Sequence, residues 1–373
     1  MNFEFSDEQK LLKDQASGFL KENCLLVSVR DIVDDDALSY DKTLWAKIGE
    51  MGWTSTTIPE EYGGLGCSYL ELSVIAEELG RSLAPTPFSS SVYLATEAIN
   101  VAGSDQQKNT WLPKLATGEI IGCVAVAEAK GQTTPASLAT ESNGSTLSGT
   151  KIPVADGDVA DFSIVFVRAN IGDGASAYIV DLTQSNVERE SIRTLDPSRS
   201  QAKITFTDAS CELLGKEGEG WSLLQKINNT AAVLFAWEQV GGSEHCLEMA
   251  KAYALDRIAF GRPIASYQAI KHKLANVYVK NTIAKSNCYY GAWALSTNDK
   301  ELPVAAASAR ISAIQAYYFA SKENIQVHGG MGFTWEFDCQ FFYRRSKQLA
   351  VNIGSELVWQ DKLISAIELD RAS

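Results

Sequence analysis

The periodicity of apolar residues changes twice along the chain, from helical to strand-like and back to helical. Residues 1–118 carry helical periodicity, and Ser6 with Gln9 three residues later predicts a capping box at the start of the first helix. Residues 119–215 hold short β-rich runs between NGS, DGD and GDG turn signals, which predict a small antiparallel β-domain. From residue 216 the helical pattern returns and stays.

Four long helical segments follow the β-rich region and predict a four-helix bundle. They read NNTAAVLFAWEQVGGSEHCLEMAKAYALDR, SYQAIKHKLANVYVKNTIAKSNCYYGAWAL, PVAAASARISAIQAYYFASKENIQVHGG and RRSKQLAVNIGSELVWQDKLISAIEL. The sequence therefore predicts an α+β fold with an all-α domain (1–118), a β-domain (119–215) and a C-terminal bundle (216–373). The GGMGF stretch follows a helical segment rather than a strand, which argues against a Rossmann phosphate loop.

The charge and the cysteine pattern limit the partners and the compartment. A formal net charge of −13 disfavours a nucleic acid or an anionic membrane as partner. No apolar run approaches the roughly 18 residues of a membrane helix, and the start MNFEFSDEQK is acidic where a signal peptide is basic. Seven cysteines without a CxxC pair and three scattered histidines indicate reduced thiols and no metal site. We expect a cytoplasmic protein.

One short stretch runs against the acidic composition. DRIAFGRPIASYQAIKHKL, residues 256–274, gathers Arg257, Arg262, Lys271 and Lys273. A planar guanidinium binds phosphate oxygens in bidentate fashion, whereas a lysine on a helix surface is usually solvated. The stretch therefore predicts a local site for an anion around an arginine, with both lysines in solvent.

Five motifs together resemble the acyl-CoA dehydrogenase family over essentially the whole chain: FSDEQ, IPEEYGGLG, KLATGEIIG, RxxFGRPI followed by YQAIKHKLA, and QxHGGMGF. The resemblance implies the fold of that family, FAD as cofactor, an acyl-CoA thioester as substrate and electron-transfer flavoprotein as the expected electron acceptor. It also implies the residues that bind the pyrophosphate and adenosine end of FAD, which are Arg257, Phe260, Gln268, Gln326, Gly329 and Gly330.

The chain departs from the family where the flavin ring is bound. In the family, a T/SEP motif and a WxT/S motif of the β-domain normally contact the ring. Here Ala127 precedes Glu128 in the first motif, and Pro153 and Ala155 stand for the tryptophan and the hydroxyl residue of the second. The resemblance therefore implies that these ring contacts are missing.

The family's catalytic glutamate, which removes the α-proton of the thioester, is also replaced. Its common position falls on Ile353, with Ser355 keeping only a small hydroxyl, and its alternative position falls near Ala231. Glu238 lies seven residues beyond that alternative position, about two helical turns along and on nearly the same face.

Glu238 is a candidate base because it sits in an apolar run, where burial would raise its pKa into the range useful for proton abstraction. A glutamate paired with a buried arginine, or one pointing to solvent, is an equally open interpretation. Glu244 and Glu248, further along, are predicted to be ordinary surface acids.

In the family fold FAD lies across a subunit interface. The residues that this chain would use in its own site are altered, whereas those that it would lend to a neighbour are present. The resemblance thus implies one subunit of an α2β2 heterotetramer with composite FAD sites, as in bacterial steroid side-chain degradation, with a bulky, steroid-like acyl chain. Two alternatives remain: a self-sufficient homo-oligomer with Glu238 as base, and a non-catalytic structural subunit without flavin.

Overall fold

The computed structural model describes residues 5–35, 37–128, 131, 133–169 and 171–372, and it confirms the predicted order of helices, strands and helices. The α-helices of these residues are α1 (Asp7–Asn23), α2 (Leu26–Asp34), α3 (Lys42–Glu50), α4 (Tyr69–Arg81), α5 (Glu97–Ala102), α6 (Asp105–Ala116), α7 (Gly220–Asp256), α8 (Gln268–Ser296), α9 (Leu302–His328), α10 (Cys339–Leu349) and α11 (Glu356–Ala372). None of the described helices is both long and apolar enough to cross a bilayer.

The strands are β1 (Gly122–Ala125), β2 (Glu141–Ser142), β3 (Thr146–Ala155), β4 (Phe162–Arg168), β5 (Ala175–Asp181), β6 (Val187–Ser191), β7 (Gln201–Ser210), β8 (Glu212–Leu214), β9 (Ile258–Ala259) and β10 (Arg262–Pro263). The first eight form two four-stranded sheets, in the orders β1-β4-β5-β8 and β2-β3-β7-β6. The prediction of an antiparallel domain was wrong in one pair, because β1 and β4 run parallel. The chain leaves the first sheet after β1, forms β2 and β3 in the second sheet, and re-enters in the same direction.

The chain separates into two units of contacting residues. One unit contains Met1–Arg30, Tyr69–Ala84 and Ala232–Ser373, and the other contains Asp31–Ser68 and Pro85–Ala231. The domain bounds 1–118, 119–215 and 216–373 stay predictions. In the second unit, a buried cluster joins α5 and α6 to β4 and β5, with the rings of Trp111 and Phe162 at 4.4 Å.

Local sequence signals explain where several helices begin and end. The capping box of α1 is confirmed, since Ser6 Oγ accepts from Gln9 N at 3.2 Å and Gln9 Oε1 accepts from Ser6 N at 3.0 Å. The fourth predicted bundle segment was wrong in being continuous. It forms α10 and α11, because Gly354 adopts a φ of +109° that a right-handed helix does not allow.

Helices α4 and α7 touch backbone to backbone in the first unit. A Cβ added at Gly80 would lie 1.9 Å from the carbonyl oxygen of Glu238, and one added at Gly241 would lie 1.8 Å from that of Glu77. Only glycine permits this approach. Glu238 and Glu77 are buried at the place where the two helices touch.

We expect Gly241→Ala to lower the free energy of unfolding by about 1–3 kcal/mol, because the added methyl group meets a backbone oxygen that cannot move by itself. Urea unfolding of the full chain measures the change. Gly18→Ala on α1 is the matched control: its Cβ would meet nothing within 4 Å, so alanine should stabilise the helix by up to about 1 kcal/mol. Equal effects of the two substitutions would contradict the close-contact argument.

Candidate functional site

The basic stretch predicted to bind an anion forms a tight hairpin directly after α7. Strands β9 and β10 pair Ile258 with Pro263 and Ala259 with Arg262. The two turn residues, Phe260 and Gly261, have φ values of +52° and +78°, as in a type I′ turn. The Phe260 side chain is 97% exposed. A bulky residue in the left-handed region is uncommon, and the Phe260 ring lies free in solvent, where it is available to the FAD role predicted from the sequence.

We expect Phe260→Gly to leave the stability of the chain within about 0.5 kcal/mol of the parent, since an exposed ring is lost and left-handed strain is relieved. Flavin retention by the assembled protein should fall at the same time. Urea unfolding and the flavin-to-protein absorbance ratio give the two readings. Phe333→Ala removes another exposed aromatic ring, 82% accessible, and should leave flavin retention unchanged. Full flavin retention in the Phe260 variant would count against its predicted role.

The remaining predicted FAD residues lie on elements packed around one small apolar cluster. Ala250 and Ala254 of α7 and Val327 of α9 form its buried centre, and Ile264 and Leu274 pack against it. This cluster joins the end of α7, the start of α8 and the end of α9. Those three places carry Arg257, Gln268 and Gln326, and all three residues are exposed.

The turn after α9 leaves its backbone open. Gly329 has a φ of +62°, and a Cβ added at Gly329 or Gly330 would meet nothing within 4 Å. A ligand can therefore approach the backbone of this turn closely, while the Gly329 N–H itself donates to the carbonyl oxygens of Gln326 and Ile325. The guanidinium and the two carboxamides on the neighbouring elements supply donors of the kind that fit a pyrophosphate and a nucleoside.

Two other cations of the basic stretch, Arg262 and Lys273, contact residues of this chain, whereas Lys271 is exposed. Arg262 stacks over the ring of Tyr267 at 4.2 Å. Lys273 was predicted to be solvated, but its Nζ lies 2.5 Å from the carboxylate of Glu323, a buried residue. That ion pair could not be seen in the sequence, because its partner lies fifty residues away on α9. Arg257 has no ion pair among the described residues.

The altered ring-contact positions lie in the second unit, where Ala127, Pro153 and Ala155 have no polar side-chain atom. The neighbouring Glu128 closes a loop: it accepts hydrogen bonds from Ala139 N at 2.6 Å, Thr140 N at 3.0 Å and Lys151 Nζ at 2.6 Å. Residues 129, 130 and 132 of that motif lie outside the described residues.

The contacts that close this loop favour the charged form of Glu128. Burial opposes its ionisation, but hydrogen bonds from Lys151, Thr140 and Ala139 lower the pKa of Glu128 to about 2. Burial in turn lowers the pKa of Lys151 to about 8. The Glu128 carboxylate is thus charged at neutral pH, and its hydrogen bonds hold the loop closed.

The turn after Pro153 contains a buried carboxylate. Burial raises the pKa of Asp156 from 3.8 to about 6, although the charge of Arg199 opposes the rise. Ser90 Oγ donates to one oxygen of Asp156, and Ser200 Oγ donates to the other at 3.3 Å. The side chain is held within the second unit by these bonds.

Asp156 should make stability fall as pH rises from about 4 to about 6, because the folded state binds its proton over that window while the unfolded state has released it. We expect Asp156→Asn to remove a difference on the order of 2 kcal/mol across the window. Urea unfolding at pH 4 and pH 7 measures it. Asp208→Asn is the control, because Asp208 is an exposed aspartate whose φ of +50° is close to the φ of +54° of Asp156. Parallel pH profiles of the Asp156 variant and the parent would contradict the prediction.

The structure buries the candidate base Glu238, which is 1% exposed. Its Oε1 lies 3.7 Å from Nη1 of Arg345, which is itself 1% exposed. Arg310 is buried nearby and donates to Gln239 Oε1 at 2.7 Å and to the carbonyl oxygen of Leu349. This arrangement matches the interpretation of a glutamate paired with a buried arginine. A catalytic role for Glu238 stays a prediction.

The other candidate positions for a base hold no carboxylate. Ala231 is buried on α7, and Ile353 and Ser355 are half-buried in the turn between α10 and α11. Alanine and isoleucine side chains cannot accept a proton, so neither position predicted for the family's glutamate can supply a base.

Glu244 and Glu248, predicted to be ordinary surface acids, take part in a charge network of the first unit, in which Glu248 is exposed and Glu244 is partly buried. Glu244 lies 2.5 Å from Arg81 Nη2 and 2.9 Å from Lys285 Nζ, and Glu248 lies 2.7 Å from Arg81 Nη1. Lys285 also reaches the fully buried Glu77 at 2.7 Å. The partners lie on α4 and α8, so the spacing along α7 alone could not reveal them.

Comparison with known proteins identifies the family. A model of the acyl-CoA dehydrogenase N-terminal domain matches residues 6–119, and a model of the C-terminal domain matches residues 218–365. This chain belongs to the acyl-CoA dehydrogenase family. The resemblance and the fold class predicted from the sequence are confirmed.

Among the relatives is acyl-CoA dehydrogenase IpdE2 of Mycobacterium tuberculosis, which is 30% identical over 91% of both chains. Butyryl-CoA dehydrogenase of Megasphaera elsdenii has a similar structure, with a TM-score of 0.90, 23% identity and coverage of 98% of this chain and 100% of that one. A chain of the ChsE4–ChsE5 complex of Mycobacterium tuberculosis matches with a TM-score of 0.88, 23% identity and 99% coverage of each chain.

Acyl-CoA dehydrogenases are oxidoreductases of lipid β-oxidation, and they are generally FAD-dependent. Within this family member, the side chains predicted to bind FAD are exposed, while the positions predicted for the ring contacts and for the family's glutamate hold Ala127, Pro153, Ala155, Ile353 and Ala231. That contrast is the basis of the functional proposal.

Proposed function

We propose that this acyl-CoA dehydrogenase works as one subunit of a heteromeric enzyme and lends its FAD-binding residues to a homologous partner. The observation that carries the proposal is the contrast between the two sets of residues. Arg257, Phe260 and Gln326 are exposed around an open glycine turn, whereas Ala127, Pro153 and Ile353 replace the residues of a complete active site.

Each lent residue has a defined task in this arrangement. The Arg257 guanidinium holds pyrophosphate oxygens, and Gln268 and Gln326 donate amide hydrogen bonds. The Gly329–Gly330 turn has no side chains and lets the ligand approach its backbone without steric hindrance. Phe260 offers its ring to the adenosine end. Bound FAD supplies the hydride acceptor, and the partner supplies the ring contacts and the base.

The proposal also covers the partner subunit, the substrate and the electron acceptor. The ChsE4–ChsE5 structure is a complex of two named components, and its likeness to this chain is one of fold. We propose a bulky, steroid-like acyl-CoA as substrate and electron-transfer flavoprotein as electron acceptor, as the family resemblance implies. All seven cysteines are free thiols, which supports a reducing, cytoplasmic location.

Two alternatives differ in what they require of the chain. A self-sufficient homo-oligomer needs Glu238 as base, and the burial of Glu238 beside Arg345 speaks against this role. A structural subunit without flavin gives no reason for an exposed ring at Phe260 with a left-handed backbone.

Purification of the chain alone, and together with the homologous product of a neighbouring gene, tests the proposal. We expect flavin absorbance, equal amounts of the two chains and acyl-CoA-dependent flavin bleaching only in the joint preparation. A yellow, active preparation of the chain alone would favour the homo-oligomer. A joint complex that lacks flavin would favour the structural subunit.

A further inference from the structure

On the basis of the proposed heteromeric function, we propose that the unlike partner subunit docks on the outer face of α8 and α9, and that its own contact surface is apolar and flanked by carboxylates. We call this surface the α8–α9 face. It consists of three exposed apolar side chains and three exposed lysines: Tyr278, Val279, Ile283, Lys271, Lys280 and Lys322.

An apolar stripe runs along the solvent side of α8. Val279 is 52% exposed, Ile283 is 56% exposed, and Tyr278 beside them is 63% exposed. Val279 and Ile283 are four residues apart, so they are neighbours on one side of the helix. Phe319 of α9 lies next to the stripe, because Lys280 Nζ is 5.3 Å from the centre of its ring. Apolar side chains grouped in this way, rather than scattered singly, mark a surface that another molecule covers.

The stripe lies on the same side of α8 as one of the predicted FAD residues. Gln268 precedes Val279 by eleven residues and Ile283 by fifteen, which places their side chains only about 20° and 60° around the helix axis from it. On α9, Gln326 lies four residues beyond Lys322, about one turn along the same side. A partner whose FAD touches Gln268 and Gln326 therefore lies over the α8–α9 face as well.

The charges of this face are all positive, although the chain has a net charge of −13. Helix α8 contains no aspartate or glutamate, and its lysines are Lys271, Lys273, Lys280 and Lys285. Lys273 and Lys285 pair with acids of this chain. The single acid of α9 is Glu323, which is buried and is the partner of Lys273. The two helices thus present no carboxylate to a docked partner.

The other lysines remain available to a partner. Lys271, Lys280 and Lys322 are exposed and have no ion pair among the described residues. Carboxylates on the partner would pair with these three cations at the rim of the apolar stripe, which speeds the encounter and fixes the register of the two surfaces.

A second copy of this chain is a poor occupant of the face. A dimer with a twofold axis has the same patch on both sides of the contact. Lysines would then meet lysines and no carboxylate, wherever the axis lies within the face, and like charges in a contact weaken binding. The apolar stripe alone would accept either partner, whereas the three cations select an unlike subunit over self-assembly.

Sedimentation velocity of this chain, mixed with the separately purified homologous product of a neighbouring gene, tests the proposal. We expect the dissociation constant of the joint complex to rise about tenfold or more in Lys280→Glu/Lys322→Glu, because attraction across the face becomes repulsion. Ile283→Asp should weaken the complex by a similar factor, because it buries a charge in the apolar stripe. Lys114→Glu/Lys226→Glu is the matched control: it changes the net charge equally at exposed lysines of the second unit and should bind like the parent.

Four results would overturn the docking proposal. The first is the absence of a joint complex, and the second is an equal dissociation constant for the parent and both face variants. The third is self-assembly of the parent chain, as tight as the joint complex, that Ile283→Asp abolishes. The fourth is binding of the chain alone to phosphatidylglycerol vesicles that the double lysine variant abolishes, since a membrane would then be the occupant.

Flavin absorbance of each complex separates this proposal from the proposed function. A joint complex that responds to the face variants but holds no flavin would contradict the shared FAD site and support the docking face. A yellow, active complex that ignores the variants would do the reverse. Thermal unfolding of each variant beforehand confirms that the exposed substitutions leave the fold intact.

Discussion

Glu238→Leu is expected to lower the free energy of unfolding by about 3–5 kcal/mol, since it leaves the charge of Arg345 buried without its carboxylate. Both side chains are 1% exposed, so water cannot replace the lost partner. The nearby Arg310 adds to the cost: burial lowers its pKa to about 9, and Glu238 opposes that fall. Denaturant unfolding of the full chain measures the loss.

A matched substitution separates a structural from a catalytic role for Glu238. Glu238→Gln keeps the size and a hydrogen-bond acceptor, so it should cost less stability than leucine. If Glu238 only neutralises Arg345, the folded glutamine variant should retain substrate-dependent flavin bleaching in the joint preparation. Loss of bleaching with flavin and fold retained would support a base instead. Glu244→Gln, on the same helix but partly exposed, controls for removal of a carboxylate from α7.

Local signals in the sequence predicted the local structure well. The capping residues Ser6 and Gln9 lie three positions apart and act on each other, so their pattern contains the whole interaction. The change from helical to strand periodicity and back is likewise a property of short windows. The order of helices and strands therefore followed from the sequence alone.

Features that depend on distant residues did not follow from the sequence. The parallel pairing of β1 with β4 depends on which sheet the chain enters between them. The partners of Glu244 lie on α4 and α8, and the partner of Lys273 lies on α9. A carboxylate on a helix has the same local pattern whether its face meets water or an arginine of another helix.

In the candidate site, too, the local features followed from the sequence and the three-dimensional ones did not. Motifs named Arg257 and Phe260, but the left-handed turn that exposes the ring could be seen only in the structure. A two-residue hairpin turn of this type needs φ > 0 at both positions. The glycine of the RxxFG motif indicates only the second of them.

Arg257→Ala is expected to weaken flavin retention by the assembled enzyme about tenfold to a hundredfold, because charged hydrogen bonds to the pyrophosphate are lost. Arg257→Lys should recover only part of it, since an ammonium cannot hold two oxygens in parallel. Flavin content after gel filtration at increasing dilution measures retention. The stability of the isolated chain should stay within about 0.5 kcal/mol of the parent, because the side chain is exposed and has no ion pair among the described residues.

Arg262→Ala is the matched control, because Arg262 lies on the same hairpin but stacks on Tyr267 of its own chain. If the basic stretch acted only through its overall charge, both alanine variants would lose flavin equally, and both losses relative to the parent would shrink as salt rises, because salt screens the charges. A loss confined to Arg257 requires a directional contact. If this chain lends Arg257 to a partner as proposed, the same variant should also reduce turnover at the partner's flavin, and that result would tie the hairpin to an active site that another subunit completes.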